Sequence, residues 1–330
     1  MERITVLEYV RSRDPIWNLP RVHVDALATR FPGVRFVSPM DRDEAAKLLP
    51  ETEIVLGWAV RPEDFPAARR LRWIHLTAAG VGPQLFPALV ESDVVVTNSR
   101  GLHAVSMAEH TIGVILMFAR QLHLARDAQQ RRRWIQSELA HEPPGFGTLP
   151  GATLGIVGLG AIGSAIAVRA RALGMKVLAV RRRPGRGAGV ADEEWGRDRL
   201  PELLERGDFV VLCAPQTPET DRMIGVAELA RMKRSAVLIN IGRGALVDEP
   251  ALIAALERGA LAGAGLDVTA EEPLPETSPL WAMPQVILTP HTSGMGPDYW
   301  GRAMAMFAAN LERWLAGAPL ENVVDKRAGY

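Results

Sequence analysis

The segment 153–163, with the sequence TLGIVGLGAIG, constrains the fold of this chain more than any other stretch. An apolar run that predicts a buried parallel strand leads into the glycine pattern GLGAIG, and an alanine-rich stretch with helical spacing follows. In this context a GxGxxG pattern holds the pyrophosphate of a dinucleotide, because free backbone N–H groups face the phosphates. A purely structural glycine turn is the alternative. The residues predicted to contact a dinucleotide are Gly158, Gly160, Ala161, Ile162 and Gly163.

Alternating strand and helix patterns continue through the rest of the chain. In the first hundred residues, strands are predicted at 4–9, 34–38, 54–58, 73–76 and 94–97 and helices at 24–30 and 44–49, as in a five-stranded parallel sheet. From residue 153 onwards, six parallel strands are predicted at 153–157, 176–180, 209–213, 237–241, 265–268 and 286–288. A last helix over 297–315 is expected to return to the first domain.

The expected fold class is therefore α/β, with two doubly wound parallel-sheet domains. A Rossmann cofactor domain at 100–293 is expected as an insertion in a flavodoxin-like substrate-binding domain, which comprises 1–99 and 294–330. Within the cofactor domain, Ser106 and Glu109 match the capping-box pattern S-x-x-E, which predicts a helix that begins there and continues to about residue 124. Glu109 is accordingly interpreted as part of a helix cap rather than as a catalytic acid.

The charge balance and the cysteine content disfavour several classes of function. Because 38 basic and 38 acidic residues balance, neither a nucleic-acid-binding nor a membrane-binding surface is expected. The single cysteine, Cys213, and the strand pattern that starts directly after Met1 favour a cytoplasmic protein without a signal peptide. No metal site is expected, because six of the seven histidines show no spacing typical of metal ligands with one another or with Cys213. These six are His23, His75, His103, His110, His123 and His141.

Arginines stand at the end of the second strand of the cofactor domain, where an NAD site has an acid. In NAD sites an aspartate or glutamate about 20 residues after the glycines holds the 2′-hydroxyl of the ribose. Here the strand 176–180 is followed by Arg181, Arg182 and Arg183, and no acid occurs before Asp192. Guanidinium groups bind phosphate through paired, charge-assisted hydrogen bonds, so this position predicts NADP in preference to NAD. A solvated basic loop is the alternative.

Polar residues follow three further strands of the same domain. The motifs are NIGRG at 240–244, GLDVTAEEP at 265–273 and TPHTSG at 289–294. Ligands of doubly wound sheets bind beyond the carboxyl ends of the strands, so Arg243, Glu272 and His291 are expected to converge at one crevice. Glu271 competes with Glu272 for the acidic position.

In these motifs, together with GLGAIG and with CAPQTPET at 213–220, the chain resembles the D-isomer-specific 2-hydroxyacid dehydrogenases over nearly its whole length. The resemblance implies that Arg243 binds the carboxylate of a 2-oxoacid and polarises its carbonyl. It further implies that His291 is the acid/base and that Glu272 orients His291 and stabilises its protonated form. The family spacing from Asp267 favours Glu272 over Glu271.

The same resemblance implies the contacts of substrate and cofactor. The substrate carboxylate would also accept hydrogen bonds from the backbone of Ala79, Gly80 and Val81, which belong to a second glycine turn. Asp267 would contact the carboxamide of the nicotinamide. The other implied cofactor contacts are Cys213, Ala214, Pro215, Thr220, Ile241, Gly242, His291, Ser293 and Gly294.

The implied activity is reduction of a small 2-oxoacid, of the glyoxylate or hydroxypyruvate type, to the D-2-hydroxyacid with NADPH, with NAD as a possible second cofactor. An imidazole can donate the required proton near neutral pH, and a carboxylate partner stabilises its charged form. A homodimer is expected from the resemblance and from the apolar helix at 111–124. The family has an aromatic and an acidic residue at Thr269 and Ala270 and an aspartate at Gly82, so the pocket differs in shape. The alternatives are a dehydrogenase of another small acid and a dinucleotide-sensing, corepressor-like protein.

Overall fold

Two compact units make up the chain in a computed structural model, which describes residues 3–12, 15–141, 145–185 and 189–329. The first unit comprises Met1–Leu102 and Gly296–Tyr330, and the second comprises His103–Met295. Each unit has one parallel sheet with helices on it, so the expected α/β class is confirmed. Among the described residues, no helix has both the length and the apolar character that crossing a bilayer requires.

The first unit has a five-stranded sheet of the flavodoxin-like type. Its elements up to residue 98 are β1 (Ile4–Tyr9), α1 (Arg21–Arg30), β2 (Val34–Val37), α2 (Arg42–Leu48), β3 (Ile54–Gly57), β4 (Trp73–Leu76), α3 (Pro87–Val90) and β5 (Val95–Asn98). The strand order β2-β1-β3-β4-β5, parallel throughout, confirms the expected sheet. Helices α1 and α2 begin before their predicted starts at residues 24 and 44. The cap sets one start, because the carboxylate of Asp41 accepts a hydrogen bond from Glu44 N at 2.8 Å.

The second unit has a seven-stranded parallel sheet in Rossmann order. It begins with three helices, α4 (Ala104–Ala119), α5 (Leu122–Gln130) and α6 (Gln136–His141). The sheet region contains β6 (Thr153–Val157), α7 (Ala161–Ala172), β7 (Lys176–Val180), β8 (Glu193–Trp195), α8 (Leu200–Arg206), β9 (Phe209–Leu212), α9 (Val226–Leu229), β10 (Val237–Asn240), α10 (Glu249–Glu257), β11 (Gly263–Leu266) and β12 (Val286–Leu288). The strand order is β12-β11-β10-β9-β6-β7-β8, so β6 and its glycine turn stand where the order reverses.

Two features of this sheet differ from the prediction. The predicted number of six strands was wrong, because the three-residue strand β8 is largely polar and has no apolar pattern to reveal it. Strand β11 begins two residues earlier than predicted, at Gly263. A Cβ there would lie 2.6 Å from both the carbonyl oxygen of Gln285 and the ring of Phe118, so this glycine is required by close packing rather than by a turn.

The predicted capping box at residue 106 was also wrong. Helix α4 begins at Ala104, and the hydroxyl of Ser106 donates to the carbonyl oxygens of His103 and Gly294, at 3.3 and 3.2 Å. The helix ends at Ala119 and does not continue to residue 124, because Gln121 adopts the left-handed conformation before α5. Glu109 caps nothing; its exposed carboxylate forms an ion pair with Arg169 at 3.5 Å.

Helix α11 (Tyr299–Leu315) belongs to the first unit and packs on its sheet. The fully buried ring of Trp73 on β4 stacks on Phe307 of this helix, with 5.3 Å between the ring centroids. The indole N–H of Trp73 donates to the hydroxyl of Thr97 on β5 at 2.8 Å. That hydroxyl also lies 2.8 Å from Nδ1 of His75, so a polar network runs through the apolar core of the first unit.

Candidate active site

The glycine turn after β6 combines two glycines required by packing with one that packing does not require. Gly158 has a φ of +105°, and a Cβ there would lie 2.8 Å from the backbone nitrogen of Ala214. A Cβ on Gly163 would clash with the carbonyl oxygen of Gly158. A Cβ on Gly160 would meet no atom within 4 Å, so the missing side chain leaves open space at the N-terminus of α7. These features fit a pyrophosphate on the first turn of the helix.

The loop after β9 forms one wall of this turn. The thiol of Cys213 donates to the carbonyl oxygen of Gly158 at 2.9 Å, and burial raises the pKa of the thiol to about 12, so it stays protonated. The hydroxyl of Thr220 donates to the carbonyl of Pro215 and accepts from Thr217 N, both at 2.8 Å. The side chains of Cys213 and Thr220 therefore shape the loop from within.

Beyond β7, the three arginines have unequal surroundings. The backbone N–H of Arg181 donates to the carbonyl oxygen of Trp195 on β8 at 3.0 Å, and its half-buried guanidinium lies 3.7 Å from the carboxylate of Glu194. Arg182 and Arg183 are exposed. The sequence did not predict that Glu194 lies near Arg181, because the short strand β8, which contains Glu194, was not predicted.

His291 and Glu272 form the centre of the candidate site. Nδ1 of His291 lies 2.7 Å from Oε2 of Glu272, and Oε1 of Glu272 accepts a hydrogen bond from Thr269 N at 3.2 Å. Half of the imidazole side chain is exposed. Of the two adjacent glutamates, the structure thus brings Glu272 to the histidine, whereas the carbonyl oxygen of Glu271 accepts from the hydroxyl of Thr269.

The loop that carries His291 is organised by Asp267. This carboxylate is buried and accepts hydrogen bonds from the hydroxyl of Thr289 at 2.6 Å, from Thr292 N at 2.9 Å and from Ser293 N at 3.1 Å. Its backbone carbonyl accepts from His291 N at 2.9 Å, and His291 has a φ of +53°. Asp267 therefore sets the path of the loop. The resemblance implied only that Asp267 contacts the carboxamide of the nicotinamide, and it did not predict this structural role.

His110 of α4 and His103, the residue that caps the start of α4, also reach this loop. Nε2 of His110 lies 3.3 Å from the hydroxyl of Thr289, and burial lowers the pKa of His110 while the charge of Asp267 partly opposes that shift. Nδ1 of His103 lies 2.9 Å from the carbonyl oxygen of Gly294. These two histidines are seven residues apart and therefore lie on one face of a helix, so their spacing could have predicted that they approach the same loop.

Arg243 stands at the end of the neighbouring strand β10. The amide side chain of Asn240 holds this turn, because it donates to the carbonyl of Arg243 at 2.9 Å and accepts from Gly242 N at 3.1 Å. A Cβ on Gly244 would clash with the carbonyl oxygen of Thr269, so the loops after β10 and β11 pack directly on each other. The exposed guanidinium and the loop that holds Glu272 are thereby brought to adjacent strand ends.

In the first unit, the glycine turn after β4 is held by side chains of two other elements. Asn98, at the end of β5, donates to the carbonyl of Ala79 at 2.6 Å, and the phenol of Tyr299 donates to the carbonyl of Thr77 at 2.8 Å. Val81 is buried, whereas Ala79 and Gly80 are half-buried. His75 is fully buried in the core, and burial lowers its pKa to about 3, so it is a neutral core residue.

Comparison with known proteins identifies the family. The model for the D-isomer specific 2-hydroxyacid dehydrogenase, NAD binding domain, matches residues 112–293, which is more than half of the chain. The chain belongs to the D-isomer-specific 2-hydroxyacid dehydrogenases. This dehydrogenase is therefore an NAD(P)-dependent oxidoreductase, its cofactor is a nicotinamide dinucleotide, and the resemblance seen in the motifs is confirmed.

Individual relatives resemble this dehydrogenase over most of its length. A glyoxylate reductase of Korarchaeum cryptofilum is 36% identical over 272 residues, which cover 80% of this chain and 79% of the relative. A D-isomer specific 2-hydroxyacid dehydrogenase of Xanthobacter autotrophicus, solved with NADPH and MES, has a TM-score of 0.82 and 30% identity over the whole of both chains. An NADPH-dependent glyoxylate/hydroxypyruvate reductase of Sinorhizobium meliloti, solved with NADP and sulfate, has a TM-score of 0.82 and 28% identity, covering 99% of this chain and 100% of that one.

Proposed function

We propose that this dehydrogenase is a cytoplasmic, NADPH-dependent reductase of small 2-oxoacids, of the glyoxylate and hydroxypyruvate type, and that it yields the D-2-hydroxyacid. The contact of 2.7 Å between His291 and Glu272 carries the proposal, because it joins a proton donor to the carboxylate that stabilises its charged form. The names of the relatives in Korarchaeum cryptofilum and Sinorhizobium meliloti support the substrate class.

The proton step follows from the geometry of the pair. With Nδ1 directed to Glu272, the imidazole keeps Nε2 available, and Nε2 is the atom proposed to give its proton to the carbonyl oxygen of the substrate. When bound, the nicotinamide cofactor supplies the hydride. After the proton has left, the imidazole of His291 is neutral and Glu272 no longer faces a positive charge. A proton from solvent then restores the charged imidazole for the next turnover.

Substrate orientation is assigned to Arg243 and to the turn at Ala79, Gly80 and Val81. A guanidinium matches a planar carboxylate with two parallel hydrogen bonds, and Arg243 is exposed at the strand end where such a ligand can be held. The backbone N–H groups of the turn are proposed as further donors to the carboxylate.

The residues proposed to hold NADPH are those of the glycine turn and its surroundings. The open space at Gly160 would accept the pyrophosphate, and the arginines after β7 supply positive charge for the 2′-phosphate. The same set includes Cys213, Ala214, Pro215, Thr220, Ile241, Gly242, Asp267, Ser293 and Gly294. The solved relatives that hold NADPH or NADP support this choice of cofactor.

A substrate and cofactor screen tests the proposal. Purified protein is mixed with NADPH or NADH and with glyoxylate, hydroxypyruvate, pyruvate, phenylpyruvate or a larger 2-oxoacid, and oxidation of the cofactor is followed by absorbance. The highest kcat/KM is expected with NADPH and glyoxylate or hydroxypyruvate. Faster turnover of another 2-oxoacid would contradict the proposed substrate class but would leave the proposed reaction, reduction of a 2-oxoacid, in place. If no 2-oxoacid were reduced, the role of His291 as proton donor to such substrates would be rejected.

We also propose a homodimer formed by the second unit. Large apolar side chains around α5 and the segments that follow it are exposed, including Leu122, Trp134 and Phe146. Exposed apolar side chains such as these can pack against a second copy of the chain, and twofold dimers are the commonest symmetric assembly. A second copy of the chain is the proposed occupant of this surface.

A further inference from the structure

The loop after β11 binds two carboxylates through consecutive backbone N–H groups. Thr269 N donates to Oε1 of Glu272 at 3.2 Å, while Oε2 of Glu272 lies 2.7 Å from Nδ1 of His291. The next N–H group, that of Ala270, donates to Oε2 of Glu249 at 2.9 Å. Glu249 lies outside this loop, at the first residue of α10. A side chain of another element therefore contacts the loop directly beside the hydrogen bond that orients Glu272.

Helix α10 gives Glu249 a well-packed support. The carboxylate of Asp248 caps the helix, because it accepts a hydrogen bond from Ala251 N at 3.1 Å. Four side chains of the helix are buried in the apolar core of the second unit, and they are those of Ala251, Leu252, Ala255 and Leu256. A carboxylate is also a stronger acceptor for a backbone N–H group than a neutral oxygen is. The contact of Glu249 with Ala270 thus connects the loop to an element that the core holds in place.

The connection from β10 to α10 approaches the same loop at a second point. A Cβ on Gly244 would clash with the carbonyl oxygen of Thr269, so backbone packs on backbone there. Together with the contact between Glu249 and Ala270, this packing restrains the loop at two consecutive residues. Such restraint matters for proton transfer, because a displacement of about 1 Å in a catalytic group can lower the rate about a hundredfold.

We propose that Glu249 is a positioning residue for the reduction of the 2-oxoacid. By accepting from Ala270 N, it fixes the loop after β11 and so keeps the carboxylate of Glu272 on the imidazole of His291. Glu249 acts through the backbone of this loop rather than on the substrate. The inference rests on the proposed roles of His291 and Glu272, and it adds a residue that lies outside the motifs in which these two were found.

Three substitutions separate the reach of this side chain from its charge. Glu249→Gln keeps an acceptor oxygen at the same length of side chain, so kcat for glyoxylate or hydroxypyruvate should stay within about threefold of the wild type. Glu249→Asp keeps the charge but is one methylene shorter, and Glu249→Ala keeps neither charge nor reach. Both should lower kcat about tenfold. The KM of the 2-oxoacid and the dissociation constant of NADPH should stay within about threefold in all three variants, because Arg243 and the glycine turn are unchanged.

A double-mutant cycle tests whether Glu249 acts through Glu272. In a Glu272→Ala background the loop has no carboxylate to position, so the addition of Glu249→Ala should lower kcat by less than about twofold. Glu257→Ala removes a carboxylate from the last residue of α10 and should retain the kcat of the wild type. Thermal midpoints identify any variant that fails to fold. In that case Glu249→Asp, which keeps an acid at the start of the helix, replaces Glu249→Ala in the cycle.

The outcomes distinguish this inference from the proposed function on which it rests. If Glu249→Asp keeps the kcat of the wild type and Glu249→Gln loses it, the charge matters rather than the contact with Ala270, and the positioning role is overturned. Equal losses from Glu249→Ala with and without Glu272 would overturn it too. If Glu249→Ala keeps full kcat while Glu272→Ala lowers it, the inference alone fails. If Glu272→Ala also keeps full kcat, the proposed role of Glu272 fails and the inference fails with it.

Discussion

At the scale of single residues, the chemistry is concentrated in His291 and the carboxylate that contacts it. The imidazole is half exposed, and its backbone is held by Asp267, so its position does not depend on packing of the ring itself. Changes to the imidazole should therefore affect proton transfer without disturbing the fold. This separation makes the two side chains suitable for direct tests.

His291→Ala should lower kcat for reduction of glyoxylate or hydroxypyruvate by about 10²–10⁴, the contribution of a positioned general acid. The dissociation constant of NADPH should stay within about twofold of the wild type, because the glycine turn and the arginines are unchanged. Steady-state kinetics measure kcat, and fluorescence titration measures the dissociation constant of NADPH. His23→Ala, a histidine of α1 in the first unit, is the control and should retain wild-type turnover. Full activity of His291→Ala would remove it from the mechanism.

Glu272→Gln should lower kcat for the same substrates by about tenfold or more, because a neutral amide stabilises the charged imidazole less well than a carboxylate does. Steady-state kinetics with saturating NADPH measure kcat. Glu271→Gln changes the adjacent carboxylate and should leave kcat unchanged. Wild-type kcat in Glu272→Gln would contradict the role of Glu272.

At the scale of elements, the core of the first unit depends on a polar network between β4 and β5. The hydroxyl of Thr97 accepts a hydrogen bond from the indole of Trp73 and lies 2.8 Å from Nδ1 of His75. Because burial lowers the pKa of His75 to about 3, the folded protein does not bind a proton there until strongly acidic pH. The unfolded chain binds that proton near pH 6.5, its ordinary value.

The stability of the first unit should therefore fall as the pH drops from 7 towards 3. The contribution of His75 is fully present above pH 6.5 and decreases below it, by about 2 kcal/mol between pH 7 and pH 5. In His75→Asn, which cannot titrate, this part of the acid dependence should be absent, although the variant is less stable at pH 7. Urea unfolding at both pH values measures the difference. Equal losses in wild type and variant would show that His75 is protonated in the folded state.

The glycine turn at the start of α7 offers a second test at this scale. Gly160→Ala should weaken NADPH binding about tenfold or more, because the new methyl group enters the space assigned to the pyrophosphate. Its thermal midpoint should not fall, since no atom lies within 4 Å of the added Cβ. Gly33→Ala, in the first unit, has equally open surroundings and should change neither quantity. Unaltered NADPH binding in Gly160→Ala would place the cofactor elsewhere.

At the scale of the whole molecule, the proposed dimer would bury the exposed apolar side chains of the second unit between two copies of the chain. Light scattering at micromolar concentration should give a mass near twice the 36.0 kDa of one chain. Leu122→Asp should shift the protein towards the monomer, because it puts a charge in place of an exposed apolar side chain of the proposed contact. Val22→Asp changes an exposed apolar side chain of the first unit and should leave the mass unchanged. A monomeric wild type would rule out the dimer.

Much of the fold and the composition of the candidate site follow from the sequence alone. The glycine turn, the strands around it and the polar residues at the ends of β10, β11 and β12 are local patterns. Because parallel strands all place their carboxyl ends at one edge of the sheet, such patterns indicate which residues can meet without any knowledge of long-range contacts.

Only the tertiary structure decided the features that depend on partners distant in the chain. The sequence near Glu193–Trp195 does not show that this segment pairs with β7, because two glutamates and a tryptophan gain their strand conformation from the neighbouring strand. The hydrogen bonds of Asp267 to the loop of His291 depend on loops that turn towards each other after folding. Apolar periodicity records which face of an element is buried, but it contains no record of which polar groups meet across loops, and this is why the pairing of Arg181 with Glu194 appears only in the folded chain.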